Sequence, residues 1–281
     1  MLRTRTAGFL LLLTSALSMS VVSFLVKLVS RQGVPAGQTI FIRFVLGMLI
    51  IGALVIVKKH SLKSEHLRGL LLRGVYTSGA VIFLFYGVAL GTMTNSFILL
   101  QTRPVWIVLL AYPVIGEKPR PRDFAGVALA LAGVVLIIRP VPALFQPADL
   151  LGLAAGVCSA MALLAVRKLR RTEGSLTIMF YLMLVGLVAS APLMAGGSVP
   201  LAAPALWLML GIALIATASQ TILTFSYRAV DAPTGSIVGS TAVVFAAAIG
   251  FFILHEPMDI YTVCGMALVL IANTLVSFSR K

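Results

Sequence analysis

The stretch GEKPRPRDFAG, residues 116–126, returns near the other end of the chain as HEPMDIYTVCG, residues 255–265. The alignment sets Glu117 on Glu256 and Gly126 on Gly265. A second pair, FYGVALGTMTNS (85–96) and FSYRAVDAPTGS (225–236), sets Phe85 on Phe225, Ala89 on Ala229 and Ser96 on Ser236, and Lys27 corresponds to Arg167. All these pairs lie 139 or 140 residues apart. A repeat of that length divides the chain at its middle, so the content of one repeat decides the fold.

That content is apolar. Hydrophobic residues make up 60% of the 281 and charged residues 11%, with a mean hydropathy of +1.07. Soluble domains are nearer 45–50% apolar and about 25% charged. Apolar runs of roughly 20 residues, each long enough to cross about 30 Å of hydrocarbon, follow one another along the chain. Segmentation by Gly, Pro and charge gives ten spans, near 7–29, 36–57, 69–90, 95–115, 121–138, 149–167, 175–195, 205–227, 233–254 and 259–279. The sequence thus predicts an all-α integral membrane protein. Its ten transmembrane helices form two five-helix repeats, residues 1–140 and 141–281. Five is odd, so the second copy enters the bilayer inverted, an arrangement typical of secondary transporters with a site near the midplane.

Lys and Arg set the orientation. With the N-terminus inside, seventeen of the 22 basic residues fall on the cytoplasmic side. Lys27, Arg31 and Arg139 fall outside, and Arg43 and Arg103 lie within spans. This bias places both termini in the cytoplasm, in a multi-pass protein of the cytoplasmic (inner) membrane. The net charge of +14 is spread over short connections and offers no basic face for nucleic acid. The apolar N-terminal stretch is too long for a signal-peptide core and reads as an uncleaved first span. Cys158 and Cys264 fall within spans and imply no disulfide framework.

The five-plus-five layout, Pro104 in span 4, Gly116-Glu117 at its end, the His-Glu echo after span 9 and AGVALALAGVVLIIRP at 125–140 resemble the EamA-type permeases of the drug/metabolite transporter superfamily. The likeness covers essentially the whole chain. It implies an internal cavity used in alternating access, often for amino acids or related metabolites, with S-adenosylmethionine uptake as an alternative. Members often carry a Trp in span 1, where this chain reads SALSMSVVSF with Met19 near that place.

All eight acidic residues and all three histidines fall in loops or at span ends. Small multidrug exporters of the superfamily use a Glu in span 1, where this chain has Ser15, Ser18, Ser20 and Ser23. The membrane charges are therefore cationic. Arg103 lies mid-span, where burial costs about 2.5–3.5 kcal/mol on insertion scales. Pro104 cannot donate to the Leu100 carbonyl, which becomes one acceptor for the guanidinium or for a substrate amine. Spacings of seven and three put Ser96, Arg103 and Trp106 on one face of a continuous helix, a set able to hold a carboxylate and a side chain. The competing reading is a structural kink in which Arg103 bonds carbonyls or water. Arg43 reads as an anchor on backbone carbonyls, and Lys27 as a side chain reaching the interface.

Span 8 carries Thr217, Gln220, Thr221, Thr224 and Arg228 at helical spacing, either as cavity lining or as interhelical glue. Gln220 is the deepest. Ser236 and Ser240 in span 9 accompany Gly235 and Gly239 and fit either close packing or a ligand. Tyr76 and Tyr181 have hydroxyls for a substrate or for a helix interface. The expected partners are a small-molecule substrate and the lipid bilayer, and a homodimer is compatible with the pattern. No cofactor, metal or nucleic acid is expected. An intramembrane enzyme would need a base and nucleophile, a carboxylate dyad or a metal cluster at depth, and a channel would not need the inverted repeat.

Overall fold

The computed structural model describes the backbone of residues 2–115, 121–138, 146–169, 173–200, 203–226 and 232–279. Side chains at several helix ends, 224–240 among them, lie outside that description. The helices are α1 (Leu2–Arg31), α2 (Ala36–Val57), α3 (Leu67–Leu90), α4 (Met93–Leu100), α5 (Arg103–Ile115) and α6 (Pro121–Ile138). They continue with α7 (Pro147–Leu169), α8 (Ser175–Ser190), a 3-10 turn (Ala191–Gly196), α9 (Ala203–Ser226), α10 (Ala232–Phe252) and α11 (Ile260–Ser279). No strand occurs among the described residues.

Six of these segments are long and apolar enough to cross a membrane: α1, α2, α3, α7, α8 with its 3-10 extension, and α9. Parts of α6, α10 and α11 form shorter apolar helices. The polarity of the bundle is that of a membrane protein. Leu49, Ile56, Trp207 and Phe252 face outward, whereas Ser20, Ser23, Ser78 and Arg43 are buried. Hydrocarbon solvates the apolar rim, and backbone groups are satisfied within each helix.

Span 4, expected as one helix over 95–115, is two. α4 ends at Leu100, and Gln101-Thr102 form a turn before α5. Pro104 occupies the first turn of α5, where its missing N–H is tolerated. The Thr102 hydroxyl donates to the Leu99 carbonyl at 2.7 Å, a local bond that competes with helix continuation.

Packing relies on small residues. α1 lies chiefly on α9 and α10, α3 on α7 and α8, and α6 on α11. Gly133 and Gly265 face each other across α6 and α11, where a Cβ on either would meet the other's carbonyl oxygen at 2.8 Å. Hydroxyls add bonds between α1 and its partners. Ser15 and Ser219 each donate to the other's carbonyl, at 3.1 and 3.0 Å, and Ser20 donates to the Ala242 carbonyl at 3.0 Å. Without a hydrophobic driving force between helices in lipid, such contacts hold the bundle together.

Gly186 on α8 receives the ring of buried Phe44, which a Cβ there would overlap. Gly52 on α2 has open space beside it. Gly186→Ala should therefore destabilise the protein by about 1–3 kcal/mol through overpacking, read as a lower melting temperature in detergent. Gly52→Ala should leave stability equal or raised, because helical Ala is favoured over Gly by about 1 kcal/mol.

Candidate substrate cavity

The turn between α4 and α5 opens onto a cavity of about 120 Å³, many times the roughly 10–15 Å³ one water needs on the same kind of measure. α1 contributes Leu12, Ser15, Ala16 and Met19, α9 contributes Gln220 and Leu223, and α3 presents Thr77 and Leu84. Phe97, Gln101 and Arg103 come from the broken span, and Ser159 from α7. Both halves of the chain thus reach one space. On α1 the lining stops at Met19, and the next turns toward Arg31 bury Val22, Val26 and Val29.

Arg103 is the single ionisable residue among the described residues of the lining. Its Nη2 donates to Gln101 Oε1 at 3.0 Å and its Nη1 to Ser159 Oγ at 3.3 Å. The guanidinium thus bonds two neutral side chains, the Gln101 amide and the Ser159 hydroxyl, rather than the expected Leu100 carbonyl. A guanidinium has five N–H donors, so neutral acceptors leave both charge and donors for an anion. Gln101 is itself held. Its carbonyl accepts from Asn273 Nδ2 of α11 at 2.9 Å, in a buried position.

The expected face of Ser96, Arg103 and Trp106 is not assembled, because the turn at Gln101-Thr102 interrupts the helical phase. Ser96 is fully buried beside Gly87 and Gly152, with its hydroxyl unpartnered. Trp106 donates its indole N–H to Thr102 Oγ1 at 3.0 Å and packs with Ile107, Ala160 and Leu164. Neither lines the cavity. Tyr76 is also outside the lining, which takes its neighbour Thr77. Gln220 lines it from α9. The Tyr181 hydroxyl donates to the Leu62 carbonyl at 3.4 Å, away from the cavity. Arg228 and Glu117, and the side chains of Ser236 and Ser240, lie outside the described residues.

The other membrane cations have different partners from those expected. Arg43 lies over two aromatic rings, 5.1 Å from the Phe44 centroid and 5.3 Å from that of Phe85. Its Nη1 is buried without a hydrogen-bond partner, so cation–π attraction replaces the expected carbonyl cage. Lys27, near the end of its span, is tied to the end of α3. Its Nζ donates to the carbonyls of Val88, at 3.0 Å, and Gly91.

Sequence spacing did not single out Gln101, Ser159 or Asn273. The signal for Gln101 was its place beside Arg103-Pro104. Ser159 and Asn273 sit in mostly apolar helices, with nothing in their spacing to set them apart from other polar residues there.

The profile of the EamA-like transporter family matches residues 6–139 and again 146–278. The pseudopaline exporter CntI of Pseudomonas aeruginosa is 26% identical over 277 residues, covering 98% of this chain and 97% of that protein. Human solute carrier family 35 member G1 is 26% identical, over 98% of this chain and 79% of its own. The S-adenosylmethionine uptake transporter of Rickettsia bellii is 24% identical, over 87% and 84%. A solved crystal structure at 20% identity matches 98% of this chain and 97% of its own with a TM-score of 0.66, which shows a shared fold. The chain belongs to the EamA-like transporter family and is a multi-pass membrane transporter.

Proposed function

We propose that this transporter moves a small carboxylate-bearing metabolite, an amino acid or a derivative, across the cytoplasmic membrane by alternating access. Its ten spans form two inverted repeats, residues 1–140 and 141–281, with both termini in the cytoplasm. The helix partners support the repeat. Exchanging the halves turns α1 on α9 into α7 on α3, and α1 on α10 into α7 on α4 and α5, and both members of each pair are packed. The excess of Lys and Arg on one side supports the orientation.

The observation that carries the substrate class is Arg103: a permanent cation in a cavity with no carboxylate among its described lining residues, bonded to neutral side chains. Binding a carboxylate there forms charge-assisted, bidentate hydrogen bonds. The apolar wall of Leu12, Met19, Leu84 and Phe97 accepts a short hydrocarbon side chain. The chemistry requires no metal and no cofactor, and no bond is made or broken.

The test is a thermal-stabilisation screen of purified protein with amino acids, hydroxy acids, nucleosides, organic amines and S-adenosylmethionine. A ligand at a hundred times its Kd stabilises by about 2.7 kcal/mol, so carboxylate compounds should raise the melting temperature while their amides and esters do not. Counterflow of the best compound in proteoliposomes should saturate, as a carrier requires. Stabilisation by amines alone, with carboxylates inert, would sink the assignment.

A further inference from the structure

At the end of the bundle away from the cavity lining, four segments are tied by charged side chains. Glu256, in the turn after α10, is buried. Its Oε1 accepts from the Met93 N–H at 2.7 Å, and its Oε2 from the Thr94 N–H at 3.0 Å and the Thr94 hydroxyl at 2.8 Å. These amides open α4 and have no partner within the helix, and a carboxylate there also meets the positive end of the helix dipole. Lys27 binds the Val88 and Gly91 carbonyls at the end of α3. One turn on, Arg31 Nη2 donates to the Leu254 carbonyl at 3.1 Å, in the same turn as Glu256. The links close a circuit: α1 to α3, α3 through Thr92 to α4, α4 to Glu256, and Leu254 back to α1.

The turn is shaped for this contact. His255 adopts a left-handed conformation, φ 54°, that aims Glu256 back over α10. Gly250 leaves room for the carboxylate, since a Cβ there would overlap the Thr94 hydroxyl and sit 2.8 Å from Glu256 Oε2. Asn95 donates to Asp149 at 3.3 Å, bringing α7 into the same cluster. Directly beneath, Val22, Val26, Val29, Met93 and Leu254 are buried in one apolar plug.

We propose that Lys27, Arg31 and Glu256 form the outer gate of the carrier, a clasp that shuts this end while the cavity is reached from the other. It rests on the alternating-access and orientation readings above. A gate must hold one state without holding it permanently. An apolar plug resists opening because its parts lose contacts they cannot replace. The charged groups sit at span ends, where water can replace each bond as the helices part. Glu256 with α4, and Arg31 with Leu254, join different halves, so rocking of the halves breaks both contacts.

The test needs no substrate. In a Cys158→Ser/Cys264→Ser background, Ser23→Cys places a thiol in the buried segment of α1 between cavity and clasp, and Ser15→Cys reports on the cavity. Membrane-impermeant maleimide is applied separately to each face of sealed vesicles. With the clasp intact, Ser23→Cys should resist labelling from the outer face. Glu256→Gln and, separately, Lys27→Met should raise that rate at least tenfold and slow the labelling of Ser15→Cys from the inner face. Unchanged outer labelling in both variants, with melting temperatures near the parent's, would overturn the gate. Faster labelling from the inner face only would overturn it as an outer gate and remove the orientation reading too. Failure of the substrate assignment would leave all these rates unaffected.

Discussion

Arg103→Ala should cost transport at least about 30-fold in apparent affinity while the protein remains folded. Truncating one partner of a buried charged hydrogen bond costs about 2–5 kcal/mol, and each 1.4 kcal/mol is a factor of ten. Within the protein the loss is small, because the partners left behind, Gln101 and Ser159, are neutral and the vacated space joins the cavity. Arg103→Lys keeps the charge without the planar fork, so it should fall between wild type and alanine. Uptake or counterflow in proteoliposomes reads the first effect, and a melting curve of the same preparations reads the second. Wild-type affinity in Arg103→Ala would reduce the residue to a brace for the α4–α5 turn.

A comparably large effect is expected where α7 meets the broken span. A Cβ on Gly152 would lie 2.9 Å from Ser96 Cα and 3.0 Å from its carbonyl oxygen. One on Gly156 would lie 2.9 Å from the Leu99 carbonyl and 3.0 Å from Thr102 Oγ1. The opposing atoms are mostly backbone, so α7 itself has to move away. The double variant Gly152→Ala/Gly156→Ala should lose about 2–6 kcal/mol, taking overpacking at each site as about 1–3 kcal/mol. It should also lose transport beyond what its stability explains, because Ser159 follows Gly156 by less than one turn and meets Arg103 only at this approach. Melting temperature and transport per folded molecule separate the two losses. Retention of both would show that α7 can retreat without disturbing Arg103.

The sequence carried the class of fold because the bilayer imposes one rule on every span: about 20 apolar residues with the backbone satisfied internally. The repeat was legible for a related reason, since Glu117 and Glu256 end equivalent spans. The cavity was legible only in part. Arg103 and Gln220 stood out because polar groups in lipid are costly, and both line it. Ser96 and Trp106 were placed with Arg103 by assuming an unbroken helix. The proline was visible, but the turn at Gln101-Thr102 three residues before it depends on the Thr102 hydroxyl and on Asn273, more than 170 residues away. Lys27 was placed at a span end, but the α3 carbonyls that hold it there were not visible in the sequence. Span-end position likewise described Glu256 without revealing its amide partners.

The hydroxyl contacts of α1 also have a bearing on how the protein is made. Ser15 and Ser20 leave the ribosome long before their partners Ser219 and Ala242, which lie 204 and 222 positions further along. α1 enters the bilayer before either partner has been made. Its seat is complete only once α9 and α10 have followed. Its hydroxyls survive the interval because each can lean on its own turn, as Ser20 does on the Ala16 carbonyl at 3.2 Å. Assembly is therefore decided late, by α9 and α10 closing around α1.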